Sequence, residues 1–182
     1  DPERYASLNH PGDNYSYDIF SQIGQAARQG NLLSGLAPQR VIGLGESQSA
    51  MRLTTYINAV QTLVDVYDVF IVHSSFGSGA QLSQSPQERI GVGRTKIRDD
   101  LVPVLLFQSE TDVAMGKLLT RQLEFPNGNF RLWEVAGTAN FDSYGLEIGI
   151  NDTGSGEGEI LNSEKMRNPS IEPQPGIILC AE

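Results

Sequence analysis

A three-layer α/β fold with a mostly parallel sheet is the architecture this sequence predicts. Three observations carry it: short apolar runs of strand length, stretches of helical period between them, and a tight Gly-x-Ser-x-Ser turn where one strand meets one helix. The longest apolar runs, "VYDVFIV" and "LVPVLLF", are far too short to span a bilayer. At 182 residues, with 39% apolar and 19% charged residues, the chain is long enough to fold as one globular domain with its own core.

Residues 1 to 14 hold two prolines and a glycine and read as an irregular lead-in. In "YSYDIFSQIGQAARQG", Tyr17, Phe20, Ile23 and Ala27 recur at helical spacing, and Gly30 is a natural C-terminal stop. The apolar stretch "RVIGLG" then reads as a buried strand, residues from about Gln48 to Val60 as a helix, and "YDVFIVHS" as a second strand. Strand, helix and strand in that order make a βαβ unit with parallel strands and a right-handed crossover. Residues 75 to 99 are rich in glycine and serine without a period, which suggests a long loop or small lid. A third strand, "VPVLLFQS", leads into an acidic turn "ETD" and a helical stretch near residues 113 to 123. A fourth, "FRLWEVAG", leads into "TANFDSYG", and from about Ile148 the composition becomes that of a surface loop.

Charge and cysteine content narrow the function. A net charge of -9 leaves no basic stripe for nucleic acid, so a small neutral or weakly polar ligand is the expected partner. The lone Cys180 supports neither an internal disulfide nor a thiolate metal site, and Asp152, Glu157 and Glu159 lack the ligand spacing of a calcium loop. No metal and no cofactor is expected. Residue 1 is aspartate and no secretory pattern follows it, which leaves a removed leader, and with it a secreted or periplasmic location, open.

The segment "VIGLGESQSAMRLTTYINAV" concentrates the chemistry. A serine on a sharp strand-to-helix turn is pushed out at the C-terminal edge of the sheet, where the amide of Gln48 and the start of the next helix can stabilise an oxyanion. Gly45 is expected because a side chain two residues before Ser47 would meet neighbouring backbone, and Ser49 is small enough to stand where a second glycine often does. The five residues alone are equally compatible with an ordinary strand-to-helix connection. A dinucleotide-binding turn fits worse, since Gln48 stands where the third glycine belongs and the next strand ends in "VHS" without an acid.

A nucleophilic serine needs a base and an acid that orients the base. Asp112, just past the third strand, is the candidate acid, and Glu110 beside it is the weaker one. A histidine is expected shortly after the fourth strand, and Asn140 stands there instead. Asparagine does not accept a proton near neutral pH, so the relay is broken as written. Of the two histidines, His10 reads as a surface residue, whereas His73 ends the second strand on the same edge as Ser47 and is a candidate substitute base or a simple strand-end residue. Glu46, Arg52 and Tyr56 flank the serine helix as substrate contacts or helix packing.

The segments "NHPGDNYSYDIFSQ", "VIGLGESQSAMRLTTYINAV", "YDVFIVHS", "RDDLVPVLLFQSETDV" and "FRLWEVAGTAN" together resemble a bacterial α/β-hydrolase-domain family with a Gly-Glu-Ser-Gln-Ser nucleophile turn, over nearly the whole chain. The resemblance implies an α/β-hydrolase-like sandwich and a Ser, Asp, His triad, with Ser47 as nucleophile, Asp112 as acid and the histidine role falling on Asn140, where the family reads "GTAHAD" and this chain "GTANFD". It implies ester hydrolysis as the usual activity. It also implies that residues 1 to 182 are the C-terminal half of one such domain, so that the edge beside "RVIGLG" is covered by a missing N-terminal segment or a second chain. Two functions follow: a serine esterase impaired at position 140, or a catalytically silent relative that binds a small molecule or a partner.

Overall fold

The computed structural model describes residues 2–30, 32–82, 95–115, 121–122, 124 and 128–140. Four strands, β1 (Ile42–Glu46), β2 (Val69–His73), β3 (Val104–Ser109) and β4 (Phe130–Val135), form one sheet in that spatial order, every pair parallel. The helices are α1 (Pro2–Tyr5), α2 (Ser16–Arg28), α3 (Gln48–Thr55), α4 (Gln61–Val64) and α5 (Glu110–Met115). The fold is an α/β sandwich. Because all neighbours are parallel, every strand's C-terminal end lies on the same edge, and the turns after β1, β2, β3 and β4 converge there.

One sheet face makes the core. Phe70, Val72, Val104, Leu106 and Phe130 are buried from the sheet side, and Ala50, Leu53, Tyr56 and Ile57 close over them. Gly43 lets the Phe70 ring lie against β1, since a Cβ at Gly43 would meet that ring at 2.6 Å. Phe20, Tyr56, Tyr67 and Phe70 form a continuous ring cluster, Phe20 stacked on Tyr67 at 4.5 Å and edge-on to Tyr56 at 5.0 Å. Burial pushes the Tyr67 phenol upward, with Tyr56 acting in the same direction.

Several sequence expectations need correction. The first strand is not buried on both faces: Ile42 and Leu44 are 54% and 60% exposed, and Trp133 on β4 is 59% exposed on the same side. Small Gly43 and Gly45 occupy the buried positions, so the apolar run hid an alternation. Helix α2 turns Ser21 and Gly24 inward and leaves Ile23 53% exposed, because Gly24 is where the helix comes closest to Val66 and Tyr67. The helix after Ser47 runs to Val64 through a π-helical segment, Tyr56–Val60, rather than ending at Val60. The lead-in contains α1 and a 3-10 turn at Asp13–Tyr15, and the acidic "ETD" is the first turn of α5. Residues 83–94, most of the 113–123 helical stretch beyond Met115, and everything after Asn140, including Cys180, Asp152, Glu157 and Glu159, lie outside the described residues.

Asp68 ties the start of β1 to the end of α2. Its Oδ2 accepts the Val41 amide at 2.8 Å and Arg28 Nη2 at 2.9 Å, while Arg40 stands 3.7 Å from Oδ1. The Val41 hydrogen bond, then the Arg28 and Arg40 charges, hold the Asp68 carboxyl below its ordinary value against the opposing effect of burial. A lowered folded-state pKa gives stability that is complete above the unfolded value of about 4 and is lost as pH falls through the folded value. Urea midpoints of parent and Asp68→Asn are therefore expected to differ most at pH 7 and to converge toward pH 3.

Candidate active site

Ser47 follows β1 with φ 52° and ψ -113°, a conformation that costs a non-glycine residue energy and persists only where its surroundings impose it. Its amide donates to the His73 carbonyl at 3.0 Å, which continues the β1–β2 ladder one residue beyond the strands. Its carbonyl accepts the Ala50 amide at 3.1 Å and so begins α3. The half-buried side chain makes no capping bond to the helix. The Gln48 amide, in the first turn of α3, has no acceptor within the helix.

Gly45 is required as expected: a Cβ there would stand 2.8 Å from the Ser49 carbonyl oxygen and 3.0 Å from Leu53 Cβ. Backbone cannot yield as a side-chain tip can. Gly45→Ala is expected to destabilise the chain by about 1–3 kcal/mol, read from urea denaturation.

The candidate acid stands on the same edge, just past β3. Asp112, 1% exposed, is the third residue of α5, and Ser109 stands just before that helix. The Ser109 amide donates to Asp112 Oδ2 at 2.8 Å, the Ser109 hydroxyl donates to the same oxygen at 2.7 Å, and the Asp112 amide reaches Ser109 Oγ at 3.3 Å. This is a reciprocal capping box, and its Ser-x-x-Asp spacing is legible in "SETD". Asp112 Oδ1 remains, and Asn140 Nδ2 donates to it at 2.7 Å. Glu110 does something else, accepting the Gly137 amide at 2.7 Å in the turn after β4.

The structure thus brings Asp112 and Asn140 together. His73 meets Ser47 through backbone alone: its ring sits edge-on to Phe107 at 5.1 Å, and its Nε2 is buried without a hydrogen-bond partner among the described residues. His10 is exposed, with Nδ1 accepting the Gly12 amide at 3.1 Å. Arg52 and Tyr56 join helices: Arg52 donates to Ser16 and Asp13, and the Tyr56 and Ser21 hydroxyls share a 2.9 Å bond. Glu46 is exposed at the end of β1. The described ends of the 75–99 loop are anchored, Thr55 Oγ1 exchanging hydrogen bonds with Ala80 and the Thr95 amide donating to Gly77.

Sequence reasoning passed over two serines. Ser109 was signalled by its capping-box spacing, whereas Ser74, buried with φ 54° and a hydroxyl without a hydrogen-bond partner among the described residues, has no local sequence signature. Among the described residues no group of three or more metal-binding side chains gathers, and no helix is long and apolar enough to cross a membrane. The family model described as an alpha/beta hydrolase domain matches residues 1–175. No curated protein and no solved structure matches the chain.

Proposed function

The chain belongs to the alpha/beta hydrolase domain family, and from that premise we propose that it carries a serine hydrolase site for carboxylic esters whose proton relay is interrupted at Asn140. In this reading Ser47 Oγ attacks the acyl carbon, the Gln48 amide holds the oxyanion, and Asp112 orients the group that takes the serine proton. The observation that carries it is the 2.7 Å bond from Asn140 Nδ2 to Asp112 Oδ1, the contact an orienting acid makes with its base. An asparagine amide gives one N–H to the acid and is left with a second N–H and a carbonyl oxygen, neither of which takes up a proton near neutral pH. Ester turnover by the chain as written is therefore expected near background. Hydrolysis of a short-chain p-nitrophenyl ester, parent against Asn140→His, tests this, and a parent as fast as the variant would falsify the interruption.

A second reading, a silent relative that retains the pocket to bind a small molecule or a partner, draws support from His73, whose side chain packs on Phe107. Bound ester without turnover favours it. The outer edge of β1 is unpaired among the described residues, and β1 also presents Ile42 and Leu44 outward. Parallel sheets are normally covered on both faces. We read residues 1–182 as part of one such domain, with a preceding segment or a second chain against that edge and the 75–99 loop shaping the ester pocket.

A further inference from the structure

The capping box that starts α5 uses one oxygen of the acid and leaves the other for position 140. Ser109, fully buried, gives Asp112 Oδ2 two donors, its amide and its hydroxyl, so the carboxylate can present only Oδ1 to its partner. Glu110, the first of the two residues between them, reaches the opposite way. Glu110 Oε2 accepts the Gly137 amide at 2.7 Å, and Thr138 Oγ1 donates to the Val135 carbonyl at 2.7 Å, so the turn that ends at Asn140 is fixed both to α5 and to β4. Beyond Asp112, the charged groups of the adjoining elements among the described residues are Glu110 itself, Glu134 on β4, paired with Arg121 at 2.7 Å, and Arg131 on β4, which donates to the Gly128 and Phe130 carbonyls.

We propose that Ser109 and Glu110 are positioning residues that set the acid against the side chain at position 140, Ser109 by fixing the carboxylate rotamer and Glu110 by holding the turn in register. The proposal rests on reading Asp112 and position 140 as the acid and base slots. Neither residue touches the reacting atoms. Local helix-capping chemistry supplies the orientation that the site needs, which ties the start of α5 to the registration of a turn 27 residues away in sequence.

The test uses the full chain with Asn140→His, where the introduced imidazole is followed by NMR titration alongside His10 and His73, and where the rate of labelling by a fluorophosphonate is read by intact mass. With the clamp in place the imidazole sits against a fixed carboxylate and titrates above its ordinary value of about 6.5. Adding Ser109→Ala is expected to bring that value down by about one unit and to slow labelling roughly tenfold, with Ser109→Thr restoring both. Exposed Glu110 gives an arm that does not depend on the buried site tolerating change: Glu110→Ala is expected to move the titration in the same direction, and Glu110→Gln, which keeps the acceptor, is expected to restore it. An imidazole whose titration is indifferent to both Ser109→Ala and Glu110→Ala overturns the proposal even if labelling is fast. A titration that responds in a protein that never labels upholds the clamp and removes the hydrolase reading instead.

Discussion

Replacing Asn140 with histidine is expected to raise the rate at which Ser47 is acylated or phosphonylated by about 10²–10⁴-fold, the usual contribution of a positioned general base. The expectation depends on three features already in place. Ser47 stands on a strained turn with no side-chain capping bond to the helix, the Gln48 amide lies in the first turn of α3, where it has no acceptor within the helix, and Asp112 is locked by Ser109 with its second oxygen bonded to Asn140. An imidazole there would meet Asp112 through one ring nitrogen and keep the other for the serine proton, a division the asparagine amide cannot make because its only basic-looking atom is a carbonyl oxygen. Observed pseudo-first-order labelling of parent and Asn140→His, measured at pH 7.5 with the same fluorophosphonate, gives the ratio directly. Equal rates would mean that some other group already activates the serine.

Phe70→Ala is expected to cost about 3–5 kcal/mol, measured by urea denaturation with the extrapolated stability compared at constant slope. Phe70 is fully buried on β2, its ring lies in the space Gly43 leaves open on β1, and it contacts the Tyr56 and Tyr67 rings at 6.0 and 5.4 Å. Removing it leaves a cavity between β1, α3 and the tyrosines that β1, which has a partner on only one side among the described residues, is poorly placed to close. A domain with a total stability of 5–15 kcal/mol, as is typical, would lose a large share of it. A loss below about 1 kcal/mol would mean that the sheet face does not form this core.

The parts of the fold that were legible from sequence are those with short-range causes. The serine turn is one: Gly45 and Ser47 are needed within a few residues of each other by the sharp reversal from β1 into α3, and the glycine's reason, the Ser49 carbonyl 2.8 Å from where a Cβ would be, is itself local. The parallel pairing followed from apolar runs alternating with helical ones, whereas the order of the strands in the sheet needed coordinates. Less visible was the one-sided burial of β1, because Ile42 and Leu44 are apolar wherever they point and the inward residues are glycines. The start of α5 is hidden in sequence because the two acids of "ETD" read as an acidic turn, whereas Ser109 three residues before Asp112 makes the same letters a helix N-terminus. The π-helical segment Tyr56–Val60 and the partnering of Glu110 with Gly137 depend on how the assembled elements pack, and no window of sequence contains both ends of that information. Position 140 was found by order along the chain, and its contact with Asp112 needed coordinates.

Peptide mapping of the fluorophosphonate adduct decides whether the serine turn is a hydrolase site that lacks its base. Parent and Asn140→His are exposed to the same probe for the same time, digested, and compared for the peptide that contains Ser47, with Ser47→Ala in the Asn140→His background as reference. The expected result is an adduct on that peptide in Asn140→His, none in the Ser47→Ala reference, and at most a trace in the parent. An adduct that forms equally in the parent, or that forms in Asn140→His at a residue other than Ser47, would contradict it.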